Sequence, residues 1–278
     1  LFTRRCRHTR FGFKSRGLGD VYKRQALLHC FDEIDALAAD LGDDEWGVQS
    51  LCPEWDVRGC LTHVVGVDDL LVGWRPKAQD DPPPFQKMGE FETETAAMST
   101  ADFVARLRQT HDGRRGELPA LSDEQWAQPC MTPIGPGYYG RFMDVRVFDY
   151  WVHQRDITIP LGRETDDSGP AAEIALNEVH GSMGYIIGKK IALPDGMSIT
   201  FDLSGGIDRK IHAAVEGRAG VVDSLDNADV TVSADTTTFI MLACGRVDPQ
   251  EQIDAGRISW SGDDEWGRKA ATNLRFTM

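Results

Sequence analysis

Three side chains in this sequence, His63, Asp149 and His153, have the types and spacing from which a metal centre can be built. Asp149 and His153 stand four residues apart, so on a helix both project from one face, one turn from each other. Asp156 extends that face. The surrounding Phe142, Val145, Val147, Phe148, Tyr150, Trp151, Val152 and Ile157 make the segment apolar nearly all round, which predicts a buried helix. A carboxylate and an imidazole in such a place need partners. His63 sits at the margin of an apolar stripe with Cys60, Val67, Leu70 and Trp74, so it too is expected to point inward. If the two helices face each other, two imidazoles and a carboxylate converge, with a fourth position open as on a catalytic divalent metal. The same spacing equally suits a buried Asp149–His153 pair without metal and a core histidine at 63, and spacing alone leaves both open. Cys60 stays open between metal ligand and structural thiol. Asp156 stays open between orienting a histidine, ending its helix and pairing with Arg155.

The elements that must position these groups can be read from periodicity. Leu27, Cys30, Phe31, Ile34, Leu37, Ala38 and Leu41 recur at helical spacing over 26–42, closed by Gly42. Asp56 is suited to cap a second helix that carries His63, and Ser99 or Thr100 a third through Phe103, Val104 and Leu107. A Gly- and Pro-rich loop, Thr132–Gly140, leads into a fourth helix that carries Asp149 and His153. Four helices in this length predict an up-and-down four-helix bundle over 26–165, with its site on facing helices. Beyond Pro160 the pattern changes. A connecting helix over 170–191, alternation at Ile199, Phe201 and Leu203, and further strands near 211–215, 230–232 and 258–260 predict a small α+β domain within 166–278. Within it Asp235 can cap a helix that ends at Gly245.

Composition narrows the function classes. The 278 residues carry a formal charge of -14, which argues against nucleic acid or an anionic membrane as partner. No stretch approaches the ~18–20 apolar residues of a membrane span. The expected class is a soluble cytoplasmic protein acting on small molecules. Residues 1–25 differ from the rest, with eight basic residues against the single acid Asp20, and GLGDVYKRQ resembles sequencing-adapter read-through. They are read as a non-native leader, which leaves -21 on residues 26–278. The six cysteines are scattered without a C-x-x-C pair, so most are expected to be reduced and structural. Phosphate-loop, dinucleotide, H-E-x-x-H and G-x-S-x-G motifs are absent.

Two strings add a family resemblance. C-P-E-W-D-V-R-G-C-L-T-H-V-V-G (52–66) and G-P-G-Y-Y-G-R-F-M-D-V-R-V-F-D-Y-W-V-H-Q-R-D-I (135–157) resemble helix motifs of the mycothiol-dependent maleylpyruvate isomerase family, a branch of the DinB-like bundles. T-T-T-F-I-M-L-A-C-G-R-V-D-P (236–249) and I-S-W-S-G-D (258–263) resemble the sterol-carrier-protein-like domain appended in that family. The resemblance implies a divalent metal, zinc foremost, held by His63, Asp149 and His153, and mycothiol or a similar thiol as cosubstrate. A metal-bound thiol ionises at neutral pH and can attack an electrophilic carbon. The implied activity is isomerisation or S-transfer on a small electrophilic substrate. The alternative is a non-catalytic metal- or ligand-binding module of the same fold. Arg58, Arg246 and Arg257 are candidates for holding the substrate or thiol.

Overall fold

The computed structural model describes residues 13–277, with side chains from Gly19 onward. Helix α1 spans Phe13–Asp40, α2 Val57–Leu71, α3 Met88–Ala96, α4 Thr100–Glu117 and α5 Asp123–Trp126. A short hairpin, β1 (Pro129–Thr132) and β2 (Gly135–Tyr138), leads into α6 (Tyr139–Thr158). Asp56 caps α2 by accepting from the Gly59 N–H at 2.7 Å, and Ser99 caps α4 through the Asp102 N–H. Helices α1, α2, α4 and α6 pack in a ring, α1 and α2 each touching both α4 and α6. The buried face of α2 includes Val57, Cys60, Leu61, Val64, Val65, Asp68 and Leu71, with the half-buried His63 at its edge as expected.

Helix α7 (Gly169–Tyr185), extended by a π-helical turn through Ile191, packs on α1 and α6 and also on the C-terminal domain. There the strands are β3 (Ser198–Ser204), β4 (Arg209–Val215), β5 (Ala219–Val222), β6 (Val230–Asp235) and β7 (Ile258–Gly262). Their order is β5-β4-β3-β6-β7, with β3 and β6 parallel and every other pair antiparallel. Helices α8 (Thr236–Ala243), α9 (Pro249–Asp254) and α10 (Asp264–Thr272) complete the domain. Asp235 caps α8 through the Thr238 N–H, and Gly245 follows its end at φ 67°, a left-handed conformation that suits glycine. The helical N-terminal region and α+β C-terminal domain expected from sequence are both present.

Several features differ from expectation. Helix α1 begins at Phe13, so residues 13–25 continue the first helix rather than stand apart from it. Lys23 pairs with Asp144 at 2.7 Å, and the Arg24 guanidinium lies over the Trp126 ring. Residues 1–12 of the expected leader, with Cys6, lie outside the described residues. The fourth predicted helix, α6, is not apolar all round. It buries Asp144, Arg146, Arg155 and Asp156 as well as His153. The five cysteines among the described residues are free and buried.

Candidate metal centre

A loop and two helices bring the chemistry together. Between α1 and α2 the chain folds back on itself. Gln49 Nε2 donates to the carbonyls of Cys52 and Trp55, each at 2.8 Å, and Ser50 Oγ donates to the Trp55 carbonyl at 2.6 Å. The Leu51 N–H then donates to the Asp156 carbonyl on α6 at 2.9 Å. This braced loop sets Cys52 over the end of α6 and lays the Trp55 ring on His63, with centroids 4.5 Å apart.

His63 from α2 meets Asp149 and His153 from α6. His63 Nε2 lies 3.7 Å from Asp149 Oδ2, and His153 Nε2 lies 3.3 Å from Asp149 Oδ1. One donor atom from each of the three residues falls within 4.8 Å of the other two. The other nitrogen of His153, Nδ1, is 2.9 Å from Asp156 Oδ2 and 3.4 Å from the Cys60 thiol. Cys52, Cys60, His153 and Asp156 therefore form a second cluster that shares one imidazole with the first.

Electrostatics follow from a buried charge network behind the site. Asp68 on α2, fully buried, accepts from Arg114 Nε at 2.9 Å and from Arg146 Nε and Nη2 at 3.1 and 2.9 Å. Arg146 also donates to the Val64 carbonyl and, through Nη1, to Asp149 Oδ2. Burial alone would raise the Asp149 carboxyl, but the charges of His153 and Arg146 hold it well below the usual carboxylate range. For His153 burial favours the neutral ring. Asp149 and the hydrogen bonds to Asp156 and Cys52 outweigh it, so the ring holds its proton well above the ordinary histidine range.

A cleft of about 340 Å³ opens beside His63, Arg146 and Asp149, walled by Val67, Phe85, Met88, Pro133, Phe142 and Val145. A second cleft, with a larger polar share of its walls than the first, runs along Trp55, Asp56, Arg58, Thr62 and Glu92 and also reaches His63. Gly66 lets α3 close on α2. A Cβ there would stand 2.6 Å from Met88 Cε and 2.7 Å from Phe91 Cδ1.

Residues 27–158 match the family model of the mycothiol maleylpyruvate isomerase N-terminal domain, and residues 173–268 match that of the MDMPI C-terminal domain. The chain belongs to the mycothiol maleylpyruvate isomerase family. Its fold is similar to crystal structures of the mycothiol-dependent maleylpyruvate isomerase (TM-score 0.57) and of a histidine-to-alanine variant of it (TM-score 0.58). In each case identity is 15%, over 86% of this chain and 91% of that chain. Sterol carrier protein 2 from Yarrowia lipolytica matches 36% of this chain and 91% of its own at 16% identity, with a TM-score of 0.26. No curated protein matches the sequence significantly.

Within this maleylpyruvate isomerase family fold, the arginines singled out from sequence take three different places. Arg246, in the turn after α8, reaches from the C-terminal domain into the bundle and donates Nε to both oxygens of Asp156 at 3.1 Å. It faces a carboxylate rather than the open cleft. Arg58 lines the second cleft that reaches His63 and donates to the carbonyls of Thr95 and Met98 at the end of α3, while Arg257 lines a separate cleft with Ile159 and Met241. Arg155 pairs with Asp167 rather than with Asp156. Sequence reasoning missed Cys52, Trp55, Asp68, Arg114 and Arg146 as parts of the site. For Arg146 a signal existed, since it precedes Asp149 by three residues and shares its helix face.

Proposed function

We propose that the protein is a metal-dependent isomerase or S-transferase that uses a low-molecular-weight thiol of the mycothiol type on a small electrophilic substrate. The convergence of His63, Asp149 and His153 beside an open cleft carries this reading. Two imidazole nitrogens and a carboxylate oxygen fit a divalent cation, zinc foremost, with a coordination position left for substrate. When bound, such a cation supplies the charge that ionises a thiol at neutral pH.

The chain's own residues do the rest. Asp156 accepts from His153 Nδ1–H, which leaves Nε2, beside Asp149, as the nitrogen that a cation would claim in place of its proton. Arg146 holds Oδ2 of Asp149 and keeps that carboxylate charged and in place. Trp55 stacks on His63 and restricts its ring. The apolar cleft excludes water from an attacking sulfur. Addition of the thiol to a cis double bond permits rotation, and its elimination gives the trans isomer. Release of the adduct instead gives transfer.

The test is metal analysis of purified protein and its His153→Ala variant, paired with thiol-dependent turnover before and after chelation. One metal per wild-type chain, lost in the variant, with turnover that follows the metal, is the expected result. Full stoichiometry in the variant overturns the ligand set.

A further inference from the structure

The cleft beside His63 has walls that bear on what it can accept. Its lining comes from four segments: Val67 on α2, Phe85 and Met88 just before and at the start of α3, Pro133 in the hairpin, and Phe142 and Val145 on α6. All six offer only hydrocarbon, aromatic or thioether surface. Polar groups enter at one end alone, as His63, Asp149 and Arg146. Among the described residues Arg146 is the single arginine or lysine in the lining, and it is not free for a ligand. Nε and both terminal nitrogens already donate to Asp68, Asp149 and the Val64 carbonyl, and its side chain is only 3% exposed.

We infer that this site takes a neutral electrophile with a hydrocarbon or aromatic body, such as an aryl enone, and rejects dicarboxylates. The inference rests on the metal- and thiol-dependent reading above and narrows its substrate class. A carboxylate moved from water against these walls loses hydration that no side chain of the cleft replaces. Asp149 adds repulsion from the polar end. A divalent cation on His63, Asp149 and His153 could meet one anionic group, but a second carboxylate would still face Val67, Phe142 or Val145. An apolar body there instead gains with each methylene removed from water. The hydrophilic thiol has a separate approach, because the second cleft also ends on His63 and offers it Asp56, Arg58, Thr62 and Glu92.

The experiment is calorimetric titration of metal-loaded protein with benzylideneacetone, a neutral aryl enone, and with maleate, a small cis dicarboxylate. Metal content and thiol-dependent turnover are measured on the same preparation. The enone is expected to bind about tenfold or more tightly than maleate, the equivalent of burying two methylenes. Val145→Arg places a free cation one turn before Asp149 and is expected to reverse the order. Met88→Lys does the same from α3, away from the helix core, and serves if Val145→Arg fails to fold by circular dichroism. Wild-type protein that holds its metal yet binds maleate as well as the enone overturns the substrate class and leaves the metal-thiol reading standing. Protein that holds no metal but still prefers the enone overturns that reading and supports the character assigned to the cleft.

Discussion

His153 Nδ1 lies 2.9 Å from Asp156 Oδ2, while Nε2 of the same ring lies 3.3 Å from Asp149 Oδ1. One imidazole is thus held between two carboxylates, one fully buried and one at the cleft. Asp156→Asn keeps the shape and removes the charge behind the ring. Metal affinity is expected to fall about 10–100-fold, with the fold intact. Competition against a chromophoric chelator measures it, and an unchanged affinity would falsify the orienting role.

The same ring gives a pH dependence. Burial disfavours its proton, but Asp149 and the hydrogen-bond partners retain it well above the ordinary histidine value. A metal must displace that proton, so affinity should rise with pH and keep rising beyond ~6.5, where an unperturbed histidine would already be neutral. Chelator competition from pH 6 to 9 tests the slope. A plateau by pH 7 contradicts it.

Asp68 holds two buried guanidinium groups, of Arg114 and Arg146, at once. Asp68→Ala leaves both charges uncompensated and is expected to cost about 3–5 kcal/mol in denaturant unfolding. Burial raises the Asp68 carboxyl, yet the two arginines lower it further and leave it below its ordinary value. A depressed folded pKa means its contribution is complete above the unfolded value of ~3.9 and is lost as pH falls through the folded one. Acid unfolding should therefore begin below about pH 4 in wild type and show a weaker pH dependence there in the variant.

Gly66→Ala puts a methyl group within 2.6–2.9 Å of Met88 and Phe91. Helix α3 must shift outward, at about 1–3 kcal/mol of stability. Because Met88 walls the cleft, enone binding should weaken too. Thermal unfolding and titration of the one variant report both effects, and a loss confined to stability would separate α3 from the site.

The sequence made the long, strongly periodic elements legible, because burial of α2, α4 and β3 imposes a regular spacing on Val, Leu and Phe. Asp56, Ser99 and Asp235 were readable as caps for a local reason: each accepts from an N–H three residues on. The hairpin escaped notice because Gly135–Tyr138, Gly-Pro-Gly-Tyr, has no alternation of apolar residues. Helix α3 buries only Phe91 and Thr95, too few to display a period. At the site, His63, Asp149 and His153 could be nominated from helix faces and brought together by the resemblance. Cys52 could not, since a loop carries it there through a hydrogen bond from Leu51 to Asp156. Nor could Asp68 and Arg114, whose pairing joins residues 46 positions apart on different helices. Arg58, Arg246 and Arg257 could be named from charge and place in the chain, but neither says which carbonyl or carboxylate an arginine will meet.

The reach of Arg246 across the domain boundary ties the two halves of the chain to a common fate. Asp156 is wholly buried in the bundle, and the guanidinium that faces it belongs to the other domain. Severing the chain near Arg163 would strip that carboxylate of its arginine and loosen the ring it orients. The bundle cannot then be exchanged between proteins as a free-standing part: the domain that follows it supplies a piece of its interior.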